Sequence, residues 1–125
     1  MSSFGPNHHA ASCWVQIDAE GNSGTPTAKD SFNVSSLSDN AFATTTVNIN
    51  NDMSNANYAV VMGSNSQSDA RELNATCLDY QQNGGGIAPT AGSVKTKNYA
   101  GATASANATE QDPSRSSVVI FGDIQ

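Results

Sequence analysis

The amino-acid sequence predicts an all-β fold, an antiparallel β-sandwich or jelly-roll-like knob of about seven to eight short strands. Ser, Thr, Asn, Ala and Gly dominate the 125 residues, while charged residues make up only 13% and aromatic residues 6%. Low charge separates the chain from disordered proteins, which combine low hydrophobicity with high charge. Apolar residues alternate over short runs, and no window of about twelve residues keeps the spacing of an amphipathic helix.

The strand-like runs are separated by clusters of Gly, Pro, Asn, Asp and Ser, which are turn-forming residues. The first run places Cys13, Val15 and Ile17 on one face and Trp14 on the other. The last run is apolar at almost every position, which predicts a central strand covered on both faces. The alternating alanines of 100–109 fit a loop or a weak strand, and favour a strand. The predicted strands are 12–18, 30–37, 44–50, 57–63, 72–80, 93–99 and 116–122, with a turn at 38–41 after the second.

The predicted core is thin, because large apolar side chains are sparse in this composition. Apolar burial contributes about 25 cal/mol per Å², whereas ordering the chain costs roughly 1.5 kcal/mol per residue. The balance is marginal for a monomer, so we expect an oligomer. Cys13 and Cys77 would pair if their strands were neighbours. Without a secretion signal, the favoured expectation is two buried thiols that act as small apolar side chains.

The chain is interpreted as one β-sandwich domain over residues 12–125, preceded by an N-terminal arm over residues 1–11. The arm has neither the basic nor the apolar segment of a signal peptide, which predicts synthesis in a cytoplasm. No run approaches the roughly 20 apolar residues of a transmembrane helix. The net charge is −6 and the five basic residues are scattered, whereas nucleic-acid binding needs clustered cations. We therefore expect no nucleic-acid partner and no membrane insertion.

Catalytic and metal-binding patterns are weak throughout the sequence. The two histidines, His8 and His9, both lie in the arm, so a Ser-His-Asp or Cys-His site would have to be built there. A zinc site needs three or four convergent ligands, and the cysteines lack His partners at a recognised spacing. The Gly-rich segment 81–92 lacks the Lys-Ser/Thr of a phosphate loop, and 48–52 lacks the calcium-loop pattern. The sequence predicts a protein without enzymatic activity, cofactor or metal.

Five segments in a fixed order carry a more specific signal: CWVQIDAEG, KDSFNVSSLSDN, TTTVNIN, MSNANYAVVMGS and a terminal VVIFG. In this order and spacing they resemble the knob modules of fibre and other virion proteins of tailed phages, especially marine ones. The resemblance spans roughly residues 12–122. The residues that agree most specifically are Asp30, Ser31, Phe32, Asn33, Val34, Ser35, Ser36, Asp39 and Asn40, then Met53, Asn55, Ala56, Asn57, Tyr58, Ala59 and Val60.

The resemblance implies a β-sandwich knob, usually trimeric, exposed on the surface of a phage particle. It implies a non-enzymatic virion structural protein that decorates the capsid or forms a short head or tail fibre or spike. Its partners would be copies of itself, as a homotrimer, and other capsid or tail proteins. The residues expected in the core or in oligomer contacts are Trp14, Phe32, Val34, Tyr58, Val60 and Phe121.

The chain departs from the family pattern at Gln16 and Asp18, where asparagines are usual, and in a longer loop after the first strand. Family knobs cap longer chains, whereas here only the arm precedes the knob, so either a shaft is missing or the arm itself is the virion anchor. The anchor residues would be Phe4, Pro6, His8 and His9. The alternative function is a tail-fibre tip that binds a host glycan or surface protein through exposed loops. Its candidate contact residues are Asn65, Gln67, Gln81, Gln82, Asn83 and Tyr99, with loops 63–72 and 81–92 as the contact surface.

Overall fold

A computed structural model of the chain describes residues 10–18, 25–64, 73–79, 88–101, 109–110 and 115–125. Within these ranges the secondary structure consists of nine β-strands, and none of these residues is helical. The predicted all-β class is confirmed. The strands are β1 Cys13–Asp18, β2 Thr27–Phe32, β3 Val34–Ala41, β4 Thr44–Ile49, β5 Ala59–Ser64, β6 Leu73–Leu78, β7 Ser93–Gly101, β8 Thr109–Glu110 and β9 Arg115–Phe121.

The strands form two antiparallel sheets, as in a β-sandwich. The first sheet has the order β2-β1-β9-β5, and the second has the order β3-β4-β7-β6. The short strand β8 also pairs with β7 of the second sheet, next to Tyr99 and Ala100. Because β1 and β9 are the two inner strands of the first sheet, the start and the end of the described chain lie side by side.

The hydrophobic core lies between the two sheets and is built from alternate residues of their inner strands. Among the described residues the fully buried side chains are of medium size, the largest being Ile17, Met53 and Ile120, and none of them is aromatic. The core is thin, as the composition predicts. Its buried members are Cys13, Val15, Ile17, Val47, Ile49, Met53, Val94, Val118 and Ile120, with Val34, Leu37, Tyr58, Val60, Met62 and Leu78 packed against them.

The segment 30–37 is not one strand, as the alternation of Phe32 and Val34 predicted, but the junction between two strands of different sheets. β2 ends at Phe32 and β3 begins at Val34, with Asn33 between them at a φ of 57°. This left-handed conformation is open to Asn because its short side chain can bond the local backbone. One residue therefore carries the chain from the first sheet to the second.

The side chain of Asn33 bonds backbone on both sides of this junction. Its Nδ2 donates to the carbonyl oxygens of Ser12, at 3.0 Å, and Asn51, at 3.1 Å. Its Oδ1 accepts from the backbone N–H of Asn51 at 2.7 Å. Ser12 precedes β1 of the first sheet and Asn51 follows β4 of the second. Asn33 thus fastens the two sheets together at one end of the sandwich.

Two further expectations on local structure need correction. The predicted turn at 38–41 is wrong, because β3 continues to Ala41 and the turn lies at Phe42 and Ala43, with Ala43 at a φ of 59°. The last strand, β9, is central as predicted. Its inner face is buried, but its outer face is only half-buried at Val119 and Phe121. Most of 100–109 lies outside the described residues.

We expect Asn33→Ala to lower the free energy of unfolding by about 2–4 kcal/mol, because it removes three hydrogen bonds and strains the left-handed backbone. Asn33→Gly restores the backbone freedom and should recover about 1 kcal/mol of that loss. Urea unfolding followed by circular dichroism measures both. The control is Asn50→Ala, an exposed neighbour, which should change stability by less than about 0.5 kcal/mol. Equal stability of the Ala and Gly variants would contradict the backbone argument.

Candidate functional site: the outer faces of the sandwich

The outer face of the first sheet carries a line of apolar side chains across all four strands. Phe32 pairs with Trp14, Trp14 pairs with Val119, and Val119 pairs with Val61. Directly opposite residues of antiparallel strands point to the same face of the sheet, and the neighbours of Trp14 along β1 face the core. We call Phe32, Trp14, Val119 and Val61 the apolar row. It runs from one edge of the sheet to the other.

The ends of the apolar row are its most exposed members. Phe32 is 52% exposed and Val61 57%, whereas Trp14 and Val119 are half-buried. The pair Phe121 and Ala59 extends the apolar surface by one step along β9 and β5. Scattered single apolar side chains are normal on protein surfaces, but a continuous apolar patch is a mark of an interaction site.

The opposite end of the same face is charged and balanced. Lys29 Nζ lies 2.7 Å from the Asp18 carboxylate, and Arg115 is the strand partner of Asp18. Asp30 accepts a hydrogen bond from the backbone N–H of Ser31 at 2.8 Å. These two acidic and two basic side chains cancel, although the whole chain has a net charge of −6.

The outer face of the second sheet is polar, and its side chains bond one another. Asn48 Nδ2 donates to the hydroxyl oxygens of Ser36 and Ser38, each at 3.0 Å. Asn40 and Thr46 exchange two hydrogen bonds across the β3–β4 pair, at 3.1 and 2.8 Å. We call these five residues the polar ladder. Because its groups satisfy each other, the ladder holds β3 in register on the outer face, while Val34 and Leu37 of the same strand pack against the core.

Ion pairs and an aromatic ring occupy the rest of this polar face. Lys95 pairs with Asp79 at 3.0 Å, and Lys97 pairs with Glu110 at 2.5 Å. The hydrogen bond to Glu110 raises the pKa of Lys97 above its usual value. Lys97 Nζ also lies 5.9 Å from the centre of the Tyr99 ring, within cation–π range. The face therefore offers a half-buried tyrosine beside paired charges.

A depression of about 460 Å³ lies at the end of the first sheet, next to the apolar row. Its lining combines amide, carboxylate and aromatic groups, including Asn55, Asn57, Phe121 and Asp123. Ala10, the first described residue, borders it. The depression therefore lies where the chain leads from the N-terminal arm into β1.

The predicted site residues lie in different parts of the structure, and several lie outside the described residues. Tyr99 lies within β7 and not in a loop. Among the residues expected in the core or in oligomer contacts, Val34, Tyr58 and Val60 pack against the core. Trp14, Phe32 and Phe121 lie on the outer face of the first sheet. The predicted anchor and loop residues Phe4, Pro6, His8, His9, Asn65, Gln67, Gln81, Gln82 and Asn83 lie outside the described residues.

Two members of the apolar row were missed from sequence. Val61 and Val119 sit in runs that are apolar at consecutive positions, so alternation alone does not tell which residue faces outward. The signal that would have found them is the pairing of β9 with both β1 and β5, which is not visible in a single sequence.

The two cysteines lie in different environments and are not bonded to each other. Cys13 is buried in the core, as expected, but the expectation for Cys77 is wrong, because it lies exposed on the outer face of β6. The β6 strand turns Leu78 toward the core, which places its neighbour Cys77 outside. Burial raises the pKa of the Cys13 thiol to about 11. The Cys77 pKa is also raised, chiefly by partial desolvation and then by the charge of Asp79.

Tyr58 connects the two sheets on the side of β5. Its hydroxyl lies 2.8 Å from the carbonyl oxygen of Thr90 and 3.1 Å from that of Ser93, so its single proton is donated to this pair of acceptors. Desolvation, followed by the proximity of the Cys13 thiol, raises the pKa of Tyr58 to about 12. The phenol therefore remains a hydrogen-bond donor throughout the neutral and moderately alkaline range.

In the described ranges no three His, Cys, Asp or Glu side chains come together in a group that could bind a metal ion. Likewise, these ranges contain no helix with the length and apolar character needed to cross a membrane. Comparison with known proteins gave no matching family model, curated protein or solved structure.

Cys13 should make the protein less stable at alkaline pH. Its raised pKa means that the folded state favours the neutral thiol, so this contribution is complete below about pH 9 and is lost as the pH rises through 11. The rise of the Cys13 pKa from 9.0 to about 11 corresponds to about 2–3 kcal/mol. We expect the stability gap between the wild type and Cys13→Ala to shrink by that amount between pH 9 and 11 in urea titrations. Cys77→Ala, the control, should keep most of the wild-type pH dependence. A constant gap between wild type and Cys13→Ala would refute the assignment.

Proposed function

We propose that this chain is a non-enzymatic structural protein of a tailed-phage particle, an oligomeric knob that decorates the capsid or forms a short head or tail fibre or spike. Its partners would be copies of itself, for which the resemblance implies three-fold symmetry, and other virion proteins. It would be made in the host cytoplasm and exposed on the particle surface.

The observation that supports this proposal best is the position of the residues that carry the resemblance. Asn33 fastens the two sheets through its side chain. Met53 is buried in the core, and its backbone N–H bonds Ala91 at 2.9 Å. Tyr58 ties β5 to the start of β7. These motif residues build the scaffold, as expected for a module whose shared feature is its architecture rather than a shared reaction.

The outer faces suit a particle surface. The polar ladder presents hydroxyl and amide groups that are already bonded to one another, so it is hydrated without attracting charged partners. The depression beside Ala10 adjoins the apolar row, and together they are the part of the described surface best suited to contact another virion subunit. Ala10, through which the N-terminal arm leads into the knob, borders this same depression.

Host recognition through a surface glycan is the second candidate function, and Tyr99 is the observation that favours it. Glycan sites combine an aromatic platform with a few polar groups that fix orientation. Tyr99 lies beside Lys97 and Glu110, which supply a donor and an acceptor on the outer face of the second sheet.

We expect the protein to be an abundant component of purified particles of the phage that encodes it, and a gold-labelled antibody to mark the particle exterior in electron micrographs. Label over the head would favour decoration, and label at the tail would favour a fibre or spike. Deleting residues 2–11 should leave the knob folded by circular dichroism but remove it from particles. Absence of the full-length protein from washed particles would overturn the proposed function.

The glycan alternative predicts that an excess of purified protein blocks phage adsorption to host cells. Tyr99→Ala should then weaken this block at least about tenfold, which corresponds to a loss of about 1.4 kcal/mol of binding free energy. Phe42→Ala removes another exposed aromatic ring, at the β3–β4 turn, and should leave the block unchanged. If wild-type protein does not compete for adsorption, or if both variants act alike, host recognition through Tyr99 is excluded.

A further inference from the structure

The apolar row is a surface that the described fold leaves without a cover. The strand β9 has apolar side chains on both faces, with Val118 and Ile120 in the core and Val119 and Phe121 outside. Strands with this pattern are typically covered on both sides. On the inner side the second sheet supplies the cover, and on the outer side no described segment does.

We propose that a second copy of this chain covers the apolar row, so that two first sheets pack face to face around a two-fold axis. Sheets packed in this way lie about 10 Å apart with their side chains interdigitated. The proposed function supplies the expectation of an oligomer, for which the resemblance implies three-fold symmetry, whereas the contact proposed here is two-fold. The choice of surface and of symmetry is made from the row itself.

The order of side chains along the row makes it complementary to itself. Two large rings, Phe32 and Trp14, are followed by two small side chains, Val119 and Val61. The two-fold axis would lie between the two sheets, parallel to their strands, and pass over the middle of the row. It would place Phe32 of one copy against Val61 of the other, and Trp14 against Val119. Large side chains then meet small ones at every position, which is the pattern of well-packed cores. In a two-fold contact each such pair occurs twice.

The exposed apolar area is of the size that such a contact needs. The row, together with Phe121 and Ala59, exposes roughly 350 Å², taking about 200 Å² for a whole aromatic side chain. A standard interface covers about 800 Å² on each partner, of which roughly 450–500 Å² is apolar. The row therefore supplies most of the apolar part, and the polar side chains around it, such as Gln16 and Ser117, would form the rim.

The charges of this face also favour a second copy over an oppositely charged partner. Two chains with a net charge of −6 each repel one another in most orientations. On this face Asp18 and Asp30 are balanced by Lys29 and Arg115, so repulsion is smallest where the rows meet. Among the described residues beside the row, the charge left unbalanced is that of Asp123 in the neighbouring depression, which offers a partner selected by charge little to bind.

Trp14 is the chain's single tryptophan and lies in the row, so its fluorescence reports directly on the contact. The test uses the full chain at rising concentration, with the mass from light scattering and the quenching of Trp14 by acrylamide. We expect a dimer, or a higher even-numbered oligomer, and a several-fold drop in quenching as it forms. Raising the salt concentration to about 1 M should not weaken the association, because no net charge drives it.

A matched pair of variants locates the contact. Val61 and Phe42 are both 57% exposed and apolar, but only Val61 belongs to the row. Val61→Glu should raise the dissociation constant at least about tenfold and keep Trp14 open to acrylamide, while Phe42→Glu should behave as wild type. Circular dichroism and the unfolding midpoint verify that both variants fold, and Phe32→Glu replaces Val61→Glu if that variant does not.

Several results would overturn the proposal. They are a wild-type monomer at about 100 µM, a trimer or other odd-numbered oligomer, or equal effects of Val61→Glu and Phe42→Glu. These results are independent of the proposed function, because association in solution does not require the chain to be present in a phage particle. Conversely, absence of the chain from particles would leave the two-fold contact standing.

Discussion

The sandwich depends on the crossing at Asn33, because this is where the chain passes directly from one sheet to the other. A single residue with a φ of 57° turns the strand direction, and its amide side chain then bonds backbone that belongs to both sheets. The Cys13 thiol also lies 3.5 Å from the Asn33 carbonyl oxygen. The crossing therefore positions the start of β1, which in turn fixes the registers of β2 and β9 and so the alignment of the apolar row. In a sandwich with a thin core, side-chain packing alone orients the two sheets weakly. The hydrogen bonds of Asn33 therefore help to fix the position of one sheet on the other.

The sequence predicts the features that depend on residues close together in the chain, and it does not predict those that depend on residues far apart. Alternation along one strand is local, and it correctly identified β1, β4, β6 and β7 and the inward face of Cys13, Val15 and Ile17, while runs of consecutive apolar residues identified β5 and β9. The crossing at Asn33 interrupts no alternation, since Phe32 and Val34 flank it with the expected spacing, and so 30–37 resembled one strand. The apolar row depends on three strand pairings, two of which join segments that are far apart in the chain. Neither composition nor spacing carries that information, which is why Trp14, Phe32 and Phe121 could be expected in contacts while Val61 and Val119 could not.

The outer faces of the two sheets both carry few charges, but they differ in the side chains that cover them. On the second sheet the polar ladder closes its hydrogen bonds internally, so the exposed edge strand β3 keeps its register with little apolar area, and charged pairs at Lys95 and Lys97 cover the remainder. The polar ladder gains little from a partner, because its polar groups already bond one another. The apolar row on the first sheet has no side-chain hydrogen bonds of this kind. Its free energy improves only when water is removed from it, so the two faces differ in what they can gain from association.

This difference connects the thin core to the quaternary structure. Buried side chains no larger than Met and Ile give each copy a limited hydrophobic contribution, and the aromatic residues that would have enlarged it, Trp14, Phe32 and Phe121, are on the outside. Their area becomes available to stability only if another surface covers them. A contact between two rows would extend the buried layer from one side of β9 to both, which is the environment that its consecutive apolar residues predict. Association would then complete a core that the single chain forms on one side only, and the chain would gain part of its stability from its copies.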